Sequence, residues 1–243
     1  MKPYFEGNGI TIYHGDCREL ALDVVDVIIA DPPYGQTSLE WDRWPQDWPS
    51  ALIGVSRQLW CFGSLKLFLT KGAEFSGWNF AQDIIWEKHN GSNPANDRFR
   101  RVHEQAAHFY TGGWKDLILN PIKRMGGVKK TIRRKQRPPH WGDIGRGHYL
   151  SPDGGPRLVT SILKVRSCHG TAQHPTQKPV GIIRPLIQYS TNPGGTVFDP
   201  FTGSGSVLVA AMELGRKAVG IDVDEKWCEC AAKRVSQQQL CFA

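Results

Sequence analysis

An α/β fold of the doubly wound kind, with a mixed and mostly parallel sheet, is predicted by two features of the chain. Short apolar segments rich in β-branched residues alternate with stretches whose apolar residues recur at helical spacing. Two of the apolar segments, VVDVIIA at 24–30 and TVFD at 196–199, run straight into Asp-Pro. Runs of that kind suit strands buried on both faces of a parallel sheet, and the proline, which cannot donate a ladder hydrogen bond, ends them abruptly. The 243 residues suit a single domain spanning 1–243.

Taken in order, GITIYHG (9–15) and VVDVIIA (24–30) are read as the first strands, although Asp26 interrupts the second. A helix is expected over 46–59, then strands LKLFLT (65–70) and DIIWE (83–87), then a helix over 102–109. Between 111 and 172 the pattern dissolves into Gly, Pro and basic residues, which reads as an inserted recognition region. A helix at 178–190, kinked by Pro185, leads to TVFD (196–199), a helix at 204–214, the strand KAVGID (217–222) and a last helix at 224–237. No internal repeat is present.

A hydrophobic content of 40% with nine tryptophans fits a folded globule, and no apolar run approaches a membrane span. The start, MKPYFEGNG, lacks an apolar signal core, so a cytoplasmic protein is expected, with reduced structural thiols at its six cysteines. Neither the cysteines nor the eight histidines show a metal-ligand spacing, so no metal is expected. The net charge of +7 is concentrated: residues 121–150 hold nine Lys and Arg against Asp143 alone, a local +8 that leaves −1 for the rest. Such a run is either a solvated face or a surface for phosphates. Its Gly, Pro, His140 and Trp141 favour nucleic acid, with Lys129, Lys130, Arg133 and Arg134 as candidate DNA contacts.

Two loops carry chemistry. Asp31-Pro32-Pro33-Tyr34 follows the second strand, and its prolines hold Asp31 and Tyr34 in a stiff segment at the carboxyl edge where such sheets bind ligands. Asp199-Pro-Phe201-Thr-Gly203-Ser-Gly205 follows TVFD and precedes a helix, so its glycines let backbone amides approach a ligand closely. Nineteen residues past Gly203, Asp222 ends the next strand, where an acid can hold a ribose diol. Leu208 replaces the third glycine of the dinucleotide fingerprint, which argues against NAD. Asp199 would repel a pyrophosphate but suits an ammonium or sulfonium centre. S-adenosylmethionine carries both, together with a ribose.

With His174-Pro-Thr-Gln-Lys-Pro179 between them, these loops resemble the DPPY-type DNA amino-methyltransferases, in the permuted order of the branch called the β group. The resemblance covers nearly everything outside 111–172, and three motifs in one order make it specific. It implies a Rossmann-like methyltransferase fold, S-adenosylmethionine as donor, an exocyclic amine of double-stranded DNA as acceptor, and a restriction-modification setting. In relatives DPPY accompanies adenine more often and SPPY cytosine, so adenine-N6 is the leading reading and cytosine-N4 the alternative. A nucleic-acid binding module without catalysis is the rival from another class, disfavoured by the intact Asp31 and Tyr34. Monomer and homodimer both remain open.

Position by position, the resemblance makes Asp31, Pro32, Pro33 and Tyr34 catalytic. Phe201, Gly203 and Gly205 would wrap the cofactor, Asp199 would face its methionine portion and Asp222 its ribose, where the family often has Glu. Thr176 and Lys178 fall where relatives contact the methionine carboxylate. Asp16 matches an acid near the cofactor's adenine, or is a plain strand-end turn. Residues 86–110 resemble the later catalytic-side motifs, with Arg98, Arg100 and Arg101 open to phosphates, or form a basic loop before a core helix begun by His103-Glu104. Trp41 and Trp44 are read as a fold-over on the base or as core.

Overall fold

The computed structural model describes every residue except 37–39, 41, 90, 92–96, 98, 135–146, 169, 171, 173–175 and 241–243, and the backbone alone at 130, 132–134, 147–151 and 238–240. Two compact units are present: Met1–Asn120 with Ser161–Ala243, and Pro121–Thr160.

The first unit opens with a hairpin of β1 (Phe5–Gly7) and β2 (Ile10–His14), turned by Asn8 and Gly9, both at positive φ. Strand β3 (Val27–Ala30) starts after Asp26, whose carboxylate accepts the Thr196 amide at 2.6 Å. Helix α1 is limited to Trp48–Ala51, and β4 (Gln58–Gly63) follows, buried at every position. Helix α2 (Leu65–Lys71) comes next, then β5 (Asn79–Glu87) and β6 (His103–Tyr110).

Three sequence expectations are corrected by these elements. Residues 65–70 are helix because the Ser64 hydroxyl accepts the Leu67 amide at 3.1 Å and caps α2, while the strand lies just before, at Gln58–Gly63. Residues 102–109 are strand because β6 is paired on both sides, to β4 and to β5. That double ladder overrides the helix preference of Ala and Gln. The expected helix over 46–59 is accordingly cut to one turn.

The second unit holds β7 (Lys123–Arg124), β8 (Lys130–Arg134), β9 (Gly147–Ser151) and β10 (Arg157–Leu158), paired antiparallel as β7 with β10 and β8 with β9. It is narrower than the region 111–172. Strand β11 (Ile162–Lys164), inside that range, belongs to the first unit and pairs with β5.

The first unit closes with α3 (Val180–Ser190), β12 (Thr196–Asp199), α4 (Ser206–Glu213), β13 (Lys217–Asp222) and α5 (Glu225–Leu240). Its nine strands run β1-β2-β13-β12-β3-β4-β6-β5-β11. Pairs β2–β13, β13–β12, β12–β3, β3–β4 and β5–β11 are parallel, and the rest antiparallel.

Both faces of the sheet are covered. Within β3, Val27 and Ile29 pack with α3, α4 and α5, while Ile28 and Ala30 pack with Trp48, Phe75 and Trp78. Successive side chains of a strand point to opposite faces, so an uninterrupted apolar run is what this position requires. Each fully buried Ile there contributes about 1.5–3 kcal/mol.

From the adjacent pair β3 and β12, the chain proceeds outward in opposite directions, β3 to β4 and β12 to β13. That is a topological switch point, and the crevice beyond the strand ends there is where such sheets hold ligands.

Candidate active site

Asp31-Pro32-Pro33-Tyr34 leaves β3 at this switch point, beside the loop that leaves β12. Asp42, only 6% exposed, holds the segment in place: its carboxylate accepts the Gly35 amide at 2.8 Å and the Gln36 amide at 2.9 Å. Gly35 sits at φ +64°, which a side chain would strain. The Tyr34 hydroxyl donates to Asp31 Oδ1 at 3.0 Å.

Lys178 Nζ lies 2.7 Å from both oxygens of Asp31 and 3.3 Å from Glu104 Oε2. Lys88 in turn bonds Glu104 Oε1 and lies 4.7 Å from the Trp86 ring centroid. Asp31, Lys178, Glu104 and Lys88 thus form a chain of alternating charge. Burial raises the Asp31 carboxyl above its ordinary value, with Lys178 and Tyr34 pulling the other way. Burial alone would raise Glu104 too, but Lys178 and Lys88 hold it down at about 2. Lys178 loses charge stability by burial and regains more from Asp31 and Glu104, so its ammonium persists above the usual lysine range.

The second loop is built around close backbone approach. Gly203 and Gly205 have φ of +47° and +77°. A Cβ on Gly220 of β13 would stand 2.4 Å from Thr202 Oγ1, so only glycine lets the loop lie against that strand. Asp222 accepts the Gly203 amide on Oδ2 at 2.8 Å and the Asp224 amide on Oδ1 at 3.0 Å. Arg234 braces the loop from α5, donating to the Ser204 carbonyl and the Ser206 hydroxyl, each at 3.0 Å.

Asp199 is 2% exposed, and its Oδ1 accepts the Phe201 amide at 3.2 Å. Burial pushes its carboxyl well above the usual range, and no cation among the described residues pairs with it. A buried acid in that condition fits a ligand that brings its own positive charge. Asp222, also raised by burial, supplies acceptor oxygens for a diol beside the glycine loop. The residues therefore fit S-adenosylmethionine.

The remaining candidates are placed as follows. Asp16 lies just past β2, where the Gly15 amide donates to the Asp222 carbonyl at 2.9 Å, and is paired with Arg18, which lowers its pKa. Thr176 is exposed, and the neighbouring Gln177 meets Ser204 of the glycine loop at 3.2 Å. Lys178, expected at the methionine carboxylate, meets Asp31 and Glu104. Phe201 packs edge-on against Trp48, centroids 5.1 Å apart. Trp44 joins Trp48 and Phe75 in an aromatic cluster, while Trp41 lies outside the described residues.

Lys129 is exposed and Lys130, Arg133 and Arg134 have their backbones in β8. His140, Trp141, His174 and Arg98 lie outside the described residues, and Arg100 and Arg101 are exposed. Glu104 and Lys88 were not assigned to the site from the sequence. The available signal was a pair of charges flanking two apolar segments.

A glycine loop, a buried acid and a charged Asp-Pro-Pro-Tyr segment, at the switch point of a doubly wound sheet, define a group-transfer enzyme that uses a nucleoside-bearing, cationic donor. The DNA methylase family model for N6 and N4 amino-methyltransferases matches residues 25–234, and the chain belongs to that family. It is 25% identical to the type II methyltransferase M2.DpnII of Streptococcus pneumoniae, over 98% of this chain and 93% of the relative. With the type II methyltransferase M2.LlaDCHI of Lactococcus lactis subsp. cremoris it shares 26%, over 97% and 93%. Among solved structures, the M1.HpyAVI–SAM complex superposes with a TM-score of 0.62 at 26% identity, covering 93% of this chain and 99% of that one. The cytosine-N4-specific PvuII DNA methyltransferase, at 14% identity, shares the fold with a TM-score of 0.60, over 93% and 86%.

Proposed function

We propose that the protein methylates the N6 amine of adenine in double-stranded DNA, with S-adenosylmethionine as donor. The observation that carries this reading is the Asp31 carboxylate, fixed beside Tyr34 at the end of β3 and adjacent to the loop that follows β12. An exocyclic amine is a poor nucleophile because its lone pair is delocalised into the base. An acceptor for each N–H returns that lone pair to nitrogen. Asp31 Oδ1 receives both Tyr34 and Lys178, whereas Oδ2 receives Lys178 alone among the described residues, which leaves Oδ2 for the amine. The Pro32 carbonyl takes the second N–H, and the stiff prolines keep the two acceptors in register.

The donor supplies a methyl group on a sulfonium. Asp199 and Phe201 face its methionine end with Thr176, Gly203 and Gly205 close over it, Asp222 holds its ribose and Asp16 lies towards its base. A base stacked in a duplex cannot reach this loop, so the nucleotide is flipped out, and stacking on Tyr34 offsets part of a cost of a few kcal/mol. Lys129, Lys130, Arg133 and Arg134 of the Pro121–Thr160 unit supply phosphate contacts. The aspartate that heads the motif supports adenine over cytosine. Among the described residues no helix is long and apolar enough to cross a membrane, which is compatible with the cytoplasmic location proposed here.

Transfer of labelled methyl from S-adenosylmethionine to duplex DNA tests the reading, with cofactor affinity measured in parallel. Asp31→Ala should lose on the order of 100-fold or more in rate while binding the cofactor like the wild type. Wild-type turnover in that variant would overturn it.

A further inference from the structure

We propose that Lys178 sets the strength of Asp31 as a hydrogen-bond acceptor, and that Glu104, held by Lys88, is the positioning residue that sets how much of the ammonium Asp31 receives. The proposal rests on Asp31 being the acceptor for the target amine. Its basis is the geometry of four charges drawn from four places: the end of β3, the segment before α3, the start of β6 and the residue after β5. Lys178 is 6% exposed and is shared unequally, at 2.7 Å from both Asp31 oxygens and 3.3 Å from Glu104. Glu104 is 9% exposed, and its other oxygen is taken by Lys88.

A purely structural role explains the arrangement poorly. Buried ion pairs seldom stabilise more than well-packed apolar residues of the same volume. A functional role needs such an arrangement, because Asp31 must stay ionised in a site whose burial favours the neutral acid, yet must still accept a proton donor. An ammonium held on both of its oxygens keeps it ionised and weakens it as an acceptor. A second acid that draws part of that ammonium away restores the acceptor. Lys178 also lies 5.4 Å from the ring centroids of Tyr34 and Phe62, so it is confined between aromatic rings and cannot drift to water.

The other ionisable groups acting on Asp31 are few. Tyr34 donates to Oδ1, and burial pushes up the Cys61 thiol on β4 and the Asp199 carboxyl on β12. The balance at Asp31 is therefore governed by Lys178 and Glu104.

The test is the pH dependence of the single-turnover methylation rate for wild type, Lys178→Met and Glu104→Gln, on DNA with saturating S-adenosylmethionine. The acidic limb reports ionisation of Asp31. Lys178→Met removes its cation and should move that limb upward by on the order of one pH unit. Glu104→Gln leaves the ammonium wholly to Asp31, so it should move the limb downward and lower the plateau about tenfold. Cofactor affinity in both should stay within about threefold of wild type.

Where a variant is too slow to profile, titration of the Asp31 carboxyl followed by carbon-13 NMR should give the same opposite displacements. Limbs that stay put, or move together, would overturn the tuning while leaving Asp31→Ala inactive. An active Asp31→Ala would instead remove the underlying assignment of Asp31.

Discussion

Asp222 uses both carboxylate oxygens to tie the glycine loop to the turn after β13, and each oxygen keeps a free lone pair for a ligand hydroxyl. A ribose contact is made equally in the ground state and the transition state. Asp222→Ala should therefore raise the KM for S-adenosylmethionine, with kcat largely recovered at saturation; an unchanged KM would put the ribose contact elsewhere. His108 makes a different kind of residue-scale prediction. It is fully buried, stacked on Trp60 with centroids 4.3 Å apart, and neither ring nitrogen has a hydrogen-bond partner among the described residues. Burial lowers its pKa from 6.5 to about 4. The unfolded chain thus binds the extra proton first as the pH falls, and stability present above pH 6.5 is lost progressively down to about 4. His108→Phe, which keeps the stack, should remove up to about 3 kcal/mol of that acid-side loss. Denaturant titrations at pH 7 and pH 4.5 would check it, and equal acid sensitivity in the two proteins would refute it.

At the scale of elements, β12 to α5 were legible because each signal is local: an apolar run, Asp-Pro, two glycines and then helical spacing. Between 46 and 110 the strand at 83–87 was legible and lies in β5, whereas the elements around 46–70 and 102–110 were not, because their states depend on partners distant in sequence. HEQAAHFY looks helical until β4 and β5 occupy both of its edges. LKLFLT reads as a strand unless Ser64 is recognised as a cap. The same dependence hid part of the site. Asp31 and Tyr34 announce themselves by motif, whereas Glu104 meets Lys88 only through the register that sets Trp86 opposite Glu104. The Asn8-Gly9 hairpin, by contrast, carried a local signal that went unread. One element-scale contact is directly testable. A Cβ at Gly220 would meet Thr202 Oγ1 at 2.4 Å and Leu208 at 3.0 Å. Gly220→Ala should cost about 1–3 kcal/mol from overpacking and raise the cofactor KM as the loop shifts. A melting temperature and KM equal to wild type would show that the loop is not held against β13.

For the whole molecule, one sheet carries two jobs in the proposed function, and the chain order separates them: β3 presents the acid proposed as acceptor, and β12 with β13 presents the loop proposed to hold the donor. The excess positive charge is carried instead by 121–150, within the Pro121–Thr160 unit. If that segment lies on phosphates, neutralising Lys129, Lys130, Arg133 and Arg134 together should weaken DNA binding and reduce the log–log salt slope by about 0.9 per lost contact. Cofactor affinity should not change. An unchanged slope with intact DNA affinity would make the segment a solvated face.

The central claim is that this site transfers a methyl group to the amine of adenine. Duplex DNA incubated with the protein and S-adenosylmethionine, digested to nucleosides and analysed by mass spectrometry, reads the product directly. N6-methyl-2′-deoxyadenosine, present with the wild type and absent with Asp31→Ala, is the result predicted. N4-methyl-2′-deoxycytidine in its place, or no methylated nucleoside at all, would contradict it.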